Sequence, residues 1–121
     1  MAERRIESYR DLRVWQEAMD LVEAVYTASG RFPSDERFGL TAQVRRAAVS
    51  VPSNIAEGWG RGKTGEYRQF LRYARASLKE VETQILVAER LGYLASEAVA
   101  PLDAHAQRLS RPLLSLLRAL S

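Results

Sequence analysis

"EYRQFLRYARASLKEVETQILVAER", residues 66–90, holds one helical period without a break. Its core stripe, Tyr67, Phe70 with Leu71, Ala74, Leu78, Val81, Ile85 and Ala88, advances by three or four residues per turn and so shares one face. The pattern predicts a helix from about Gly65 to Leu91, with Thr64 as N-cap and Gly92 as the stop.

The same period extends to both sides. From about Leu12 to Ser29 two apolar stripes lie side by side: Leu12, Trp15, Met19, Val22 and Tyr26, and next to them Val14, Ala18, Leu21 and Val25. Asp11 is the expected N-cap of this first helix, and Gly30 followed by Pro33 ends it. A second helix is expected to begin near Ser34 or Asp35 and to turn Leu40, Val44, Ala47, Val51 and Ile55 inward. It runs into "SVPSNIAEGWGRG", residues 50–62, where Pro52 removes a backbone donor and crowds the carbonyl of Ala48. Because the apolar phase continues to Ile55, the expectation is a helix bent at Pro52 and ended by Gly58 or Gly60. A fourth helix starts near Ser96, whose hydroxyl can cap it, and carries Leu102, Ala106, Leu109, Leu113, Leu116 and Leu120. Pro101 falls in its first turns, and Pro112 is expected to bend it. No segment alternates with the period of two that a strand requires. The sequence therefore predicts an all-α chain, one domain over residues 1–121, folded as an antiparallel up-down-up-down four-helix bundle.

Composition narrows the function. The chain has no cysteine, which excludes disulfides, thiol catalysis and thiolate metal sites. No stretch approaches the roughly 20 apolar residues that span a bilayer, and the N-terminal "MAERRIESYRDLR" lacks the apolar run of a signal peptide. A cytoplasmic protein without membrane contact is expected. His105 is the single histidine, Glu80 and Glu82 sit on different helical faces, and "GWGRG" follows no strand. No enzyme, cofactor, metal site or small-molecule substrate is expected.

Charge is unevenly placed. Residues 41–80 hold eight basic side chains against three acidic ones, a net +5 in a chain whose total is +3, and sixteen of the eighteen basic residues are arginine. Arg68, Arg72, Arg75 and Lys79 step by four, three and four along the third helix, a ridge about 16 Å long. Such a ridge can track phosphates, and Arg45, Arg61 and Lys63 are candidate additions to it. A different set, Gln43, Arg46, Ser50, Asn54 and Glu57, forms a polar row on the second helix opposite Ser77 and Glu80 on the third. The two rows are expected to form a structural network: Arg46 with Glu80 or Glu57, Asn54 with a hydroxyl or a backbone group freed by Pro52.

Three stretches carry a resemblance: "LRVWQEAMDLVEAVY", "FPSDERFGLTAQVRRAAVSVPSNIAEGWGR" and "EYRQFLRYARASLKEVETQILVAERLGYL". Over about residues 8–94 the chain resembles a family of small bacterial four-helix-bundle proteins encoded in intervening sequences of large-subunit ribosomal RNA genes. The most specific piece is "QVRRAAVSVPSNIAE", from Gln43 to Glu57. The resemblance implies the bundle and a ring-shaped homopentamer. It also implies a more distant similarity to the accessory variability protein of diversity-generating retroelements, a basic pentamer that binds nucleic acid.

Two readings stay open at this point. In one, a homo-oligomer contacts RNA or DNA phosphates through its arginines; in the other, the arginines serve contacts within and between subunits of a protein scaffold. The surplus apolar stripe of the first helix and the leucine-rich end of the fourth favour self-association in both.

Overall fold

The computed structural model describes residues 5–121; the first four residues of the expected domain lie outside the described residues. Four helices account for most of them: α1 Arg13–Ser29, α2 Leu40–Gly60, α3 Thr64–Arg90 and α4 Ser96–Ala119. There is no strand among the described residues. α1 packs against α2 and α4, and α3 packs against the same two, so the helices enclose one core.

The core follows the helical period. It consists of Val14, Ala18, Leu21 and Val25 from α1, Val44, Ala47, Ala48, Val51 and Ile55 from α2, the Leu71–Ala88 stripe of α3, and Leu102, Ala106, Leu109 and Leu113 from α4. Each fully buried leucine or isoleucine contributes about 1.5–3 kcal/mol of transfer free energy. Of the two stripes on α1, the second is fully buried; in the first, Leu12, Trp15 and Val22 pack partly buried against the core, while Met19 and Tyr26 are exposed.

The helix ends differ from expectation in an instructive way. Asp11 does not cap α1. It closes a capping box with Ser8 around a 3-10 turn at Tyr9–Asp11, its carboxylate accepting from the Glu7 and Ser8 backbone N–H groups at 2.9 and 3.1 Å. Ser34–Glu36 is likewise a 3-10 turn, and α2 starts only at Leu40. The cap comes from outside the helix: Glu36 Oε1 accepts the Leu40 N–H at 3.0 Å, and its other oxygen accepts the Tyr93 hydroxyl at 2.8 Å. These bonds, the backbone one first, hold the Glu36 carboxyl below its ordinary pKa, and the same contact raises that of Tyr93. α3 starts one residue earlier than expected, with Lys63 in the N-cap position. It closes at Gly92, φ +80°, with the Tyr93 N–H bonded to Ala88 O and the Gly92 N–H to Glu89 O. Ser96 donates to the Glu97 carboxylate and does not cap α4.

Pro52 lies inside α2, which is assigned as helix from end to end, and its ring is buried. The helix ends at Gly60, one of the two expected stops. Gly58 has a different task. A Cβ at this position would stand 2.6 Å from Phe70 Cβ and 3.2 Å from Tyr67 Cδ1, so its hydrogen is what allows α2 and α3 to meet this closely. The turn that follows relies on Gly62, φ +75°.

Candidate nucleic-acid interface

α3 has a flank on either side of its core stripe. Toward α4 it presents Arg68, Arg72, Arg75 and Lys79, one turn after another, as their spacing requires. These four line a groove of about 330 Å³ whose far wall is the last turns of α4: Leu114, Leu117, Arg118 and Ser121. Among the described residues no aspartate or glutamate side chain lines it. Arg72 and Arg75 are exposed, and neither has an ion-pair or hydrogen-bond partner among the described residues. Arg68 is half-buried, with its Nε shielded from solvent and unbonded. Lys79 alone is paired, to Glu82 at 3.2 Å within its own helix.

The sequence reading missed Arg118. It sits in the last turn of α4, where a cation complements the helix dipole, and that local role hides its place opposite the ridge. The available signal was the apolar phase of Leu113, Leu116 and Leu120, which brings the end of α4 onto the bundle and Arg118 to its edge.

Three other candidate cations do not join the groove. Arg45 reaches back to the end of α1: its Nε donates to Ser29 Oγ at 2.8 Å, Nη2 donates to Tyr26 O at 3.3 Å, and the guanidinium lies 4.5 Å from the Tyr26 ring centre. It adds a third donor to the Tyr26 carbonyl, which already accepts the Gly30 N–H at 3.2 Å and the Ser29 hydroxyl at 3.3 Å, and so fastens α2 to the end of α1. Arg61 is shared between Glu57 at 3.5 Å and Glu66 at 3.8 Å and covers the Phe70 ring. Lys63 stands exposed at the α2–α3 connection and does not line the groove.

Toward α2, the expected polar network is reduced to a single bond between helices, from Ser50 Oγ to Ser77 Oγ. The other members turn back on their own helix. Asn54 Nδ2 donates to Ser50 O at 2.7 Å, so it does not serve the Ala48 carbonyl that Pro52 leaves free. Glu57 pairs with Arg61, and Glu80 accepts from Gln84 at 3.2 Å. Arg46 makes neither expected pair; with Gln43 it is exposed and unbonded among the described residues. The seam is too tight for long side chains, because Ala47, Ser50 and Gly58 on α2 let the backbones close in. Gln43, Arg46, Glu57 and Glu80 stand exposed at its rim. Deeper in, burial raises the Tyr67 hydroxyl pKa.

Among the described residues no group of His, Asp and Glu converges in a way that could hold a metal ion, and no helix is long and apolar enough to cross a membrane. A family model described as 23S rRNA-intervening sequence protein matches residues 10–115. Comparison with curated proteins gives no match.

Proposed function

The chain belongs to the 23S rRNA-intervening sequence protein family, and from that premise we propose that it is a non-enzymatic, homo-oligomeric protein that binds RNA or DNA through the α3–α4 groove. One observation carries the reading. Five cations, Arg68, Arg72, Arg75, Lys79 and Arg118, line one groove with no aspartate or glutamate side chain in its walls. Like charges at helical spacing repel, and an external polyanion relieves that repulsion. A ridge about 16 Å long spans several phosphates of one strand. The groove has leucine and alanine but no aromatic ring, so it lacks a platform for stacking unpaired bases. Contact is therefore with the backbone and is weakly sequence-specific.

In this reading the four helices alternate in direction, as the three-residue α2–α3 connection (residues 61–63) favours, and α2 bends at Pro52 because the Ala48 carbonyl has lost its helical donor. The protein acts in the cytoplasm, where its polyanions are.

The test is a salt titration with labelled RNA and duplex DNA. Four phosphate contacts give a slope of about −4 for log K against log salt on duplex DNA. Absence of binding to either nucleic acid at about 50 mM salt, where phosphate contacts are strongest, moves the arginines to contacts between protein surfaces and overturns the proposal.

A further inference from the structure

α4 is basic on more than the side that faces α3. From Ala104 to Ser121 it carries Arg108, Arg111 and Arg118 with His105 and no acidic residue; its two acids, Glu97 and Asp103, come before that stretch. Arg108, Arg111, Ser115 and Arg118 step by three, four and three and are all exposed. They lie opposite the buried Leu102, Ala106, Leu109 and Leu113 and form one crest about 15 Å long.

α1 and α3 each pack on α4 and on α2 but not on each other, so α4 is a corner of the bundle and its crest stands between two seams. One seam is the α3–α4 groove. The other, between α4 and α1, holds a second groove of about 380 Å³, lined by Arg13, Ala104, Gln107, Arg108, Arg111 and Pro112. Among the described residues no aspartate or glutamate side chain lines this groove either. Arg108 is engaged: its Nε stands 3.7 Å from Glu17 Oε2, and its Nη2 stands 3.0 Å from His105 Nδ1. Arg13 and Arg111 are exposed, and neither side chain has an ion-pair or hydrogen-bond partner among the described residues. Arg13 opens α1, whose first turn has no acidic residue and no side-chain cap. A cation there opposes the helix dipole and gains from an anion outside the chain.

We propose that α4 lies in the major groove of a DNA duplex, with the α3–α4 groove on the phosphates of one strand and the α1–α4 groove on those of the other. The proposal rests on the phosphate reading given above and narrows its partner to double-stranded DNA. The dimensions agree. A helix with its side chains is about 10–12 Å across, and the major groove of B-form DNA is about 12 Å wide. A corner helix with a cationic seam on each side meets both walls of that groove at once. The major groove of an A-form RNA duplex is deep and narrow and closed to a helix. A single strand occupies one of the two seams and leaves the other empty.

The test measures fluorescence anisotropy of a short labelled DNA duplex, the RNA duplex of the same sequence and the single strands, each over a range of salt. The DNA duplex should bind about tenfold or more tighter than the others. Its slope of log K against log salt should be about −5.5, for four contacts in one groove and two in the other. Arg13→Ala/Arg111→Ala should keep the parent's melting temperature, since both side chains are exposed and unpaired. It should flatten the DNA-duplex slope by about 2 and leave single-strand binding unchanged. Arg111→Gln repeats the test with one exposed side chain, in case the double variant unfolds, and should flatten the slope by about 1. A variant that binds the DNA duplex with the parent's affinity and slope overturns the proposal. So does a parent that binds duplex RNA or single strands as tightly as duplex DNA. Both results leave the phosphate reading standing, because that reading fails only if the parent binds no nucleic acid or Arg72→Glu/Arg75→Glu loses no affinity; absence of all binding overturns both.

Discussion

The two flanks of α3 are built from one helix and behave oppositely. Toward α2, small residues bring the backbones together, and among the described residues the one hydrogen bond between the two helices joins two serines. Toward α4, long cations stand apart around an open groove, and among the described residues Lys79 alone of them has an ion-pair partner. Side-chain size accounts for the difference. Glycine, alanine and serine close a seam and exclude long polar groups, whereas arginine props a seam open and keeps its charge available to something outside the chain. Tightness on one side thus marks structure, and openness on the other is what the proposed phosphate contact rests on.

The closed flank is the one to break first. An alanine at a helical glycine ordinarily stabilises by up to about 1 kcal/mol. Gly58→Ala should do the reverse and destabilise by about 1–3 kcal/mol, because the new methyl meets the Phe70 and Tyr67 side chains. Gly60→Ala, with nothing within 4 Å, is the control and should leave the melting temperature unchanged or raised. A Gly58→Ala protein as stable as Gly60→Ala removes the close approach from the account.

Ser77→Ala is a milder cut across the same seam. It leaves the Ser50 hydroxyl without its acceptor and should cost about 1 kcal/mol by denaturant unfolding. Glu57→Ala should have the smallest effect. Its pair with Arg61 is about half exposed on both sides, so less than about 1 kcal/mol is at stake. A loss of several kcal/mol in a thermal melt would show that Glu57 is held in a buried network after all.

How far this contrast could be read from residues alone is instructive. The core of α3 was legible beyond its first turns: Leu71, Ala74, Leu78, Val81, Ile85 and Ala88 are buried as their shared phase requires, whereas Tyr67 is only partly buried against them and Phe70 lies outside the core. The ridge was legible for the same reason. The network was not. Gln43, Arg46, Ser50, Asn54 and Glu57 do share a face of α2, but phase fixes direction and not depth, and depth here is set by how closely Gly58 lets α3 approach. The start of α2 was misplaced because its cap, Glu36, reaches in from a separate 3-10 turn and is held by Tyr93, more than fifty residues away. Arg118 was invisible since its partners in the groove lie on another helix. Arg45 belonged to the basic count but is occupied at the end of α1.

The central claim is that the open flank holds a polyanion. It is tested most directly by Arg72→Glu/Arg75→Glu, which reverses two exposed charges without touching the core. Melting temperature and affinity for labelled RNA and duplex DNA are measured on the same preparation at low salt. The account predicts an unchanged melt and loss of binding to both. A double variant that stays folded and binds as tightly as the parent would contradict it.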